Sequence, residues 1–242
     1  MLENSGSFNL LAVLTIGLVF GLKHATEVDH VVAISTIVSR HKNVFRSALV
    51  GALWGAGHTA SLLIVGVIVL SLRIAIPERV SGWLEFGVAL MIIALGVSAL
   101  WRAVRTDSEV HVHQHSHDGL SHTHVHFHEH ENKHIPSTQA AHSHVVSRIG
   151  WKPVLVGMMH GLAGSGALTL LVLTQISSPL IGFLYMATFG LGSIAGMLLM
   201  SGLIGLPFAF TSGKLTHLHQ GLQTVAAVLS ICFGVWYAFT LF

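Results

Sequence analysis

The sequence predicts an all-α integral membrane protein with six transmembrane helices, arranged as two inverted three-helix repeats with a discontinuous or kinked first helix. Three observations carry that expectation. Of the 242 residues 52% are hydrophobic and only 9% charged, with a mean hydropathy of +0.71, whereas soluble domains carry about 25% charged residues. The apolar residues gather into six runs, each close to or beyond the ~20 residues that a span requires. Related segments also recur at nearly constant separation in the two halves of the chain.

The runs cover roughly 8–38, 45–72, 82–104, 153–175, 179–209 and 220–242. Polar or helix-breaking residues separate them: Arg40-His41-Lys42-Asn43, Pro77-Glu78-Arg79, a long polar loop, Ser177-Ser178-Pro179 and Thr211-Ser212-Gly213-Lys214. This divides the chain into 1–106, 107–147 and 148–242, two three-helix halves around a loop. The N-terminus lacks the basic region of a cleavable signal, so the run from Phe8 reads as the first span. That run is too long to cross upright as one straight helix.

Connections after the first, third and fifth spans hold Arg40, Lys42, Arg46, Arg102, Arg105, Lys133, Arg148, Lys152 and Lys214, against Arg73 and Arg79 on the other side. The positive-inside rule then places the long loop in the cytoplasm and both termini outside a bacterial or archaeal inner membrane. The scattered Lys and Arg form no basic face, which argues against a nucleic-acid partner. The single cysteine, Cys232, excludes an intrachain disulfide.

The repeat is visible residue by residue. Gly21-Leu22-Lys23-His24 matches Gly157-Met158-Met159-His160, Trp54 to Ser61 matches Phe189 to Gly196, and Gly96-Val97 matches Gly234-Val235, at offsets of 136, 135 and 138. Three spans per half forces opposite orientations, the plan of transporters whose ion sites lie at the bilayer midplane. The halves differ in chemistry: Ala163, Ser165 and Gly166 stand where the first half has Glu27, Asp29 and His30, and Ser193 stands for His58.

Ionisable groups inside spans are costly and read as functional. His24, Glu27, Asp29 and His30 fall within seven residues of the first span. Imidazole with carboxylate suits a divalent first-row ion: Ni²⁺ or Co²⁺, with Zn²⁺ and Mn²⁺ as further candidates. On a regular helix at about 100° per residue, His24, Glu27 and His30 share one slanted stripe, while Asp29 lies on another face. Either Asp29 buttresses a ligand or the helix breaks here, and a break is the favoured reading. His58, flanked by Gly55 and Gly57 in the second span, and His160 in the fourth are the remaining candidate ligands, His160 with no acid nearby in sequence. Thr26, Thr59 and Ser61 are read as helix-to-helix hydrogen bonders.

The stretch from Asp107 to His144 holds twelve of the nineteen histidines: His111, His113, His115, His117, His122, His124, His126, His128, His130, His134, His142 and His144. Such composition is expected to stay disordered without metal and to act as a loose metal buffer. His130-Glu131-Asn132-Lys133-His134 matches a zinc-protease pattern, but Pro136 and the polar surroundings deny it the required helix. No nucleophile, base and open metal position are assembled, so an enzyme is not expected.

His24, Asp29 and His30 in an H-x4-D-H pattern, with Glu27 where an aspartate is usual, resemble the first motif of the nickel/cobalt transporter superfamily. Gly57-His58-Thr59 is similar to its Gly-His-Ser segment. The resemblance covers the first 60 residues and implies a metal permease with His24, Asp29, His30 and His58 on the ion pathway. Eight-span uptake members carry a second acidic motif, whereas Gly157 to Thr169 holds no Asp or Glu. Six-span members include nickel/cobalt exporters and urease- or hydrogenase-associated permeases, so the direction of transport stays open. The rival expectation is a non-transporting metal sensor or delivery partner for a metalloenzyme. The bilayer, a soluble metallochaperone and a second copy are the candidate partners, and the pairs Gly17 with Gly21 and Gly51 with Gly55 are suited to packing either within one chain or between chains.

Overall fold

The computed structural model describes residues 10–72, 77–105, 110–117, 120–127, 150–163, 178–212 and 215–241. Contacts divide the chain into two compact units, Met1–Leu100 with Ile149–Phe242, and Trp101–Arg148. The helices are α1 (Leu10–His24), α2 (Val28–Val38), α3 (Val44–Leu72), α4 (Glu78–Arg105), α5 (Lys152–Gly161), α6 (Pro179–Thr211) and α7 (Thr216–Thr240).

Among the described residues, α3, α4, α6 and α7 are long and apolar enough to cross a membrane, and α1 with α2 passes as a fifth, bent span. The fourth expected span, 153–175, is described only as far as Ala163, so its remainder lies outside the described residues. Burial follows the pattern of a membrane protein. Leu90, Leu191, Leu203, Val225 and Leu229 face outward, while His30, His58, Ser193, Ser201 and Ser230 are fully buried. Hydrocarbon tails cover the apolar surface, and polar groups must find partners inside.

The long first run is interrupted. α1 ends at His24 and α2 starts at Val28, with a 57° bend between them. The linking residues make tight turn bonds, Thr26 N–H to Lys23 O at 2.9 Å and Glu27 N–H to His24 O at 3.1 Å. The Thr26 hydroxyl adds a 2.6 Å bond to the same Lys23 carbonyl, drawing it away from the helical ladder. Glu27 has extended backbone as the residue preceding α2, which puts Asp29 in the first turn, where a carboxylate favours the helix N-terminus.

Glycines bring the backbones together. A Cβ on Gly21 of α1 would meet the Phe189 carbonyl of α6, and one on Gly157 of α5 would meet the Trp54 carbonyl of α3. A Cβ on Gly161 would likewise meet the Ser61 hydroxyl, and one on Gly196 would lie 2.6 Å from the Ala25 Cβ. In the antiparallel pair α4 and α7, Gly96 would meet Ile231 at 2.8 Å and Ala227 O at 2.9 Å, and Gly234 would meet Ile93 at 2.7 Å and Ala89 O at 3.0 Å. Trp54, Ile34, Val38, Ile92 and Met197 fill the centre of the core. At its edge the Gln223 side chain donates to Ser39 O at 2.9 Å, tying the end of α2 to α7.

The second unit contains an element that the composition did not anticipate. Within the stretch expected to be disordered, strands β1 (Val110–His117) and β2 (Leu120–Phe127) pair antiparallel, in register from Val110 with Phe127 to His117 with Leu120. Two sequence signals favour it locally: alternation of histidine with other residues at period two, and Asp118-Gly119 between the strands, a strong two-residue turn signal.

If close backbone approach holds the membrane unit together, Gly157→Ala drives a methyl into the Trp54 carbonyl and is expected to cost ~1–3 kcal/mol. At Gly87 an added Cβ meets nothing within 4 Å. Thermal unfolding of the detergent-solubilised protein should therefore show a lowered midpoint for Gly157→Ala and none for Gly87→Ala.

Candidate metal centre

Five of the six intramembrane residues singled out from the sequence converge, and the sixth touches one of them. His24 comes from the last turn of α1, Asp29 and His30 from the first turn of α2, His58 from the middle of α3, and His160 from the end of α5. His30 and His58 have no exposed surface, His160 is 1% exposed and His24 4%. Ring centroids lie 4.5 Å apart for His24 and His30, 5.1 Å for His24 and His58, and 4.3 Å for His30 and His160. Glu27 is the most open of the set, with 42% of its side chain exposed and Oε2 3.1 Å from His24 Nδ1.

Asp29 organises the cluster. Its Oδ1 accepts from the His30 backbone N–H at 3.0 Å and lies 2.9 Å from His30 Nδ1, while its Oδ2 lies 2.8 Å from His160 Nε2. An ionised carboxylate only accepts, so each imidazole nitrogen facing it carries the proton. In a neutral ring the opposite nitrogen is then a bare lone pair. Those opposite atoms, His30 Nε2 and His160 Nδ1, are buried without a hydrogen-bond partner. By the same logic Glu27 accepts a hydrogen bond from His24 Nδ1–H and leaves His24 Nε2 bare.

His24 Nε2 stands 3.0 Å from His58 Nε2. That separation fits a hydrogen bond, and it also matches the ~3 Å between two nitrogens bound at right angles to one ion at about 2.1 Å. His24, His30 and His58 each offer an atom within 4.8 Å of the other two, and so do Asp29, His30 and His160. Two overlapping three-ligand groups thus share His30. The first is all imidazole and fully buried; the second contains the charge. The chemistry available is coordination of a divalent ion by neutral imidazoles whose tautomers are set by carboxylates behind them.

Two neighbours were not weighed as functional from the sequence. Trp54 is fully buried against His30 and His160, at 5.2 and 5.3 Å between centroids, with its indole Nε1 unpartnered. Ser193, which the repeat matches to His58, is also buried with an unpartnered hydroxyl. Their place in the repeated segment was the available signal. The acid missing near His160 in sequence is Asp29, delivered from the other half of the chain. Thr59 donates to Gly190 O at 3.2 Å and so joins α3 to α6, whereas Ser61 donates to His58 O at 2.8 Å within α3 and Thr26 to Lys23 O within its own turn, so neither makes the helix-to-helix bond expected of it. In the loop, His111, His113, His115, His117, His122, His124 and His126 fall on the two strands. His128, His130, His134, His142 and His144 lie outside the described residues, as does the His130–His134 protease-like pattern.

Removing either member of the Asp29–His160 pair leaves a buried polar group without its partner. Asp29→Ala and His160→Ala are each expected to destabilise by ~1–3 kcal/mol. Combined, they should cost less than their sum by at least about 0.5 kcal/mol, as read from unfolding of the solubilised single and double variants.

No family model matches the chain, and no solved structure matches it. Among known proteins it is 36% identical to the urease accessory protein UreH of Bacillus sp. (strain TB-90) over 233 residues, 96% of this chain and 93% of that protein. It is 23% identical to the chloroplast protein FOR GROWTH AND FERTILITY 1 of Arabidopsis thaliana over 208 residues, 86% of this chain and 53% of that protein, and so spans about half the plant protein's length. The bacterial relative is by name a urease accessory protein, and in this chain His24, Asp29, His30, His58 and His160 form groups that could hold a metal ion. With that identity sustained over almost the whole of both chains, this protein belongs to the family of the urease accessory protein UreH.

Proposed function

We propose that this protein is a membrane permease for a divalent transition metal ion, with nickel the leading ion, that binds its cargo between His24, His30 and His58. The observation that carries the reading is the convergence of three buried imidazoles at a broken helix, two of them with a nitrogen bared by a carboxylate behind. Imidazole suits nickel, cobalt and zinc. The accessory role of the relative in urease biology, together with the resemblance to a superfamily containing urease-associated permeases, favours nickel over the others.

Alternating access would arise from a pseudo-two-fold relation between the halves. The glycine contacts are reciprocal under the repeat offsets: Gly21 on Phe189 and Ser193 corresponds to Gly157 on Trp54 and His58, Gly55 on Ile194 to Gly190 on Thr59, and Gly96 on Ile231 to Gly234 on Ile93. This reciprocity favours six spans as inverted repeats. Because His30 and His58 have no exposed surface, an ion reaches them only when helices separate, and rocking of one half on the other supplies that motion. Asp29 would hold the positive cargo's charge in balance while linking α2 to α5. The loop would buffer ions at the cytoplasmic mouth, with both termini outside by the charge distribution.

A second reading, a non-transporting partner that hands metal to a maturing enzyme, is favoured by the word accessory in the relative's name. Flux separates the two. Accumulation of radiolabelled nickel should be faster, if the protein imports, or depressed, if it exports, in cells making it than in cells lacking it. Asp29→Ala and His24→Ala should abolish the difference while the protein still inserts. Normal flux in both variants would sink the site, and metal binding without any flux of nickel, cobalt, zinc or manganese would favour the partner. Deleting residues 111–144 is expected to change apparent affinity or regulation and to leave conduction in place.

A further inference from the structure

α2 is one 11-residue helix, about 16 Å long at 1.5 Å per residue, with Asp29 and His30 in its first turn and Ser39 just past its last. Whatever holds the far end therefore sets the tilt of the helix that carries two residues of the cluster. The last carbonyls of a helix have no partner within it, and Ser39 is 1% exposed, so its carbonyl needs a donor from elsewhere. Gln223 of α7 supplies one at 2.9 Å. A second polar bond from α2 to α7, Thr36 to Ala226 O, is longer at 3.5 Å.

The same Gln223 nitrogen lies 3.1 Å from His219 Nε2, and His219 Nδ1 lies 3.1 Å from Thr211 Oγ1. An amide nitrogen only donates, so His219 Nε2 accepts, and a neutral ring then carries its proton on Nδ1. Thr211 can accept that proton's bond, because its own hydroxyl hydrogen goes to Pro207 O at 2.8 Å. Every proton from Thr211 through His219 and Gln223 to Ser39 thus has one place, and the arrangement holds only while the imidazole is neutral. A proton added at Nε2 would point at the N–H groups of the amide. Turning the amide to offer its oxygen would satisfy the imidazolium but set that oxygen against the Ser39 carbonyl, acceptor to acceptor. Either way the bond from α7 to the end of α2 is lost. Among the described residues, Thr211 and the Phe208 carbonyl face the ring from α6, with the Phe208 ring edge-on at 6.3 Å between centroids, and Lys42, ahead of α3, is the charge that acts on it. His217 on α7 is exposed.

We propose that Gln223 and His219 form a proton-sensitive latch on the end of α2, closed while the His219 ring is neutral and released when it takes a proton. Its consequence for transport rests on the permease reading: release frees α2 to tilt, which opens the way to His30 from the side that the charge distribution assigns to the cytoplasm. The repeat supports a gate here. The offset of 138 that relates Gly96 to Gly234 also carries Ser81 and Glu85 onto His219 and Gln223, and Ser81 donates to Glu85 Oε1 at 3.2 Å. Each pair occupies the fourth and eighth residues of its helix, α4 or α7, and in an inverted repeat those turns lie at opposite mouths.

Exposure of position 39 tests the latch without any metal. In purified full-length protein in detergent, Cys232→Ser removes the native thiol, and Ser39→Cys keeps the backbone carbonyl while placing a thiol where the side chain is buried. Its reaction with a water-soluble maleimide is followed at about pH 5.5 and about pH 8, on either side of the ordinary histidine range. Each rate is taken relative to the SDS-unfolded protein at the same pH, which corrects for thiol ionisation. The latch predicts a relative rate at least about fivefold higher at the acid pH, the population shift expected when a buried carbonyl loses its hydrogen bond. Gln223→Leu, which deletes the donor, should react at the faster rate at both pH values. In His219→Phe the pH effect should vanish, because no proton can be taken there. Equal rates at both pH values in the parent, or slow reaction of Gln223→Leu at the higher pH, would overturn the latch. A pH effect that persists in His219→Phe would overturn His219 as its sensor. These rates involve no metal movement, so failure of the latch and failure of the permease reading, which flux decides, are separate results.

Discussion

The Asp29 carboxylate is the interaction on which the membrane unit depends. A charge in that position is costly unless it is paired and hydrogen-bonded, and the chain meets the requirement with two imidazoles and a backbone N–H. The consequences run outward from there. Asp29 reaches His160 because the helix is broken after His24, and it reaches His30 because both sit in the first turn of α2. By accepting a hydrogen bond from each ring it holds the proton on the facing nitrogen and leaves the opposite one a lone pair, the form in which an imidazole can coordinate a metal ion. The same contact links the first half of the chain to the second, so ligand geometry and the mutual placement of α2 and α5 are coupled.

Lipid tails are as apolar as leucine, so helices in a bilayer gain little from burying apolar surface and rely on close packing and internal polar contacts. The glycines at positions 21, 157 and 161 meet that need where it matters most. They let α1 lie on α6 and α5 lie on α3 at backbone contact, with His24 and His160 close beyond. A bulkier residue at Gly157 would push α5 off α3 and carry His160 away from Asp29. The metal-type cluster therefore needs small residues nearby as much as it needs histidines.

The histidine-rich stretch illustrates the difference between composition and pattern. Counted, its residues describe a polar tract unable to bury a core. Taken in order, they alternate at period two on both sides of Asp118-Gly119, the sequence pattern of a hairpin. Hydrophobicity-based expectations pass over such a strand because its repeating residue is polar, although backbone pairing depends on turn chemistry and alternation as much as on apolar content.

By itself the sequence determined the membrane class, the positions of α3, α4, α6 and α7 to within a few residues, and the choice of His24, Glu27, Asp29, His30, His58 and His160 as the groups to follow. These are legible because they rest on local quantities: the length of apolar runs, the cost of an ionisable group inside one, and glycines at helical spacing. Angular bookkeeping on an ideal helix even exposed the misfit of Asp29. What only the tertiary structure decided is which groups meet. Asp29 and His160 are 131 residues apart, and His24 and His58 are 34 apart, and nothing local says that a carboxylate of one half will orient an imidazole of the other. Trp54 likewise became a wall of the cluster only once α3 was packed between α5 and α6. Ligand sets are three-dimensional because an ion or a proton responds to distance, and distance between remote residues is fixed by how the helices pack.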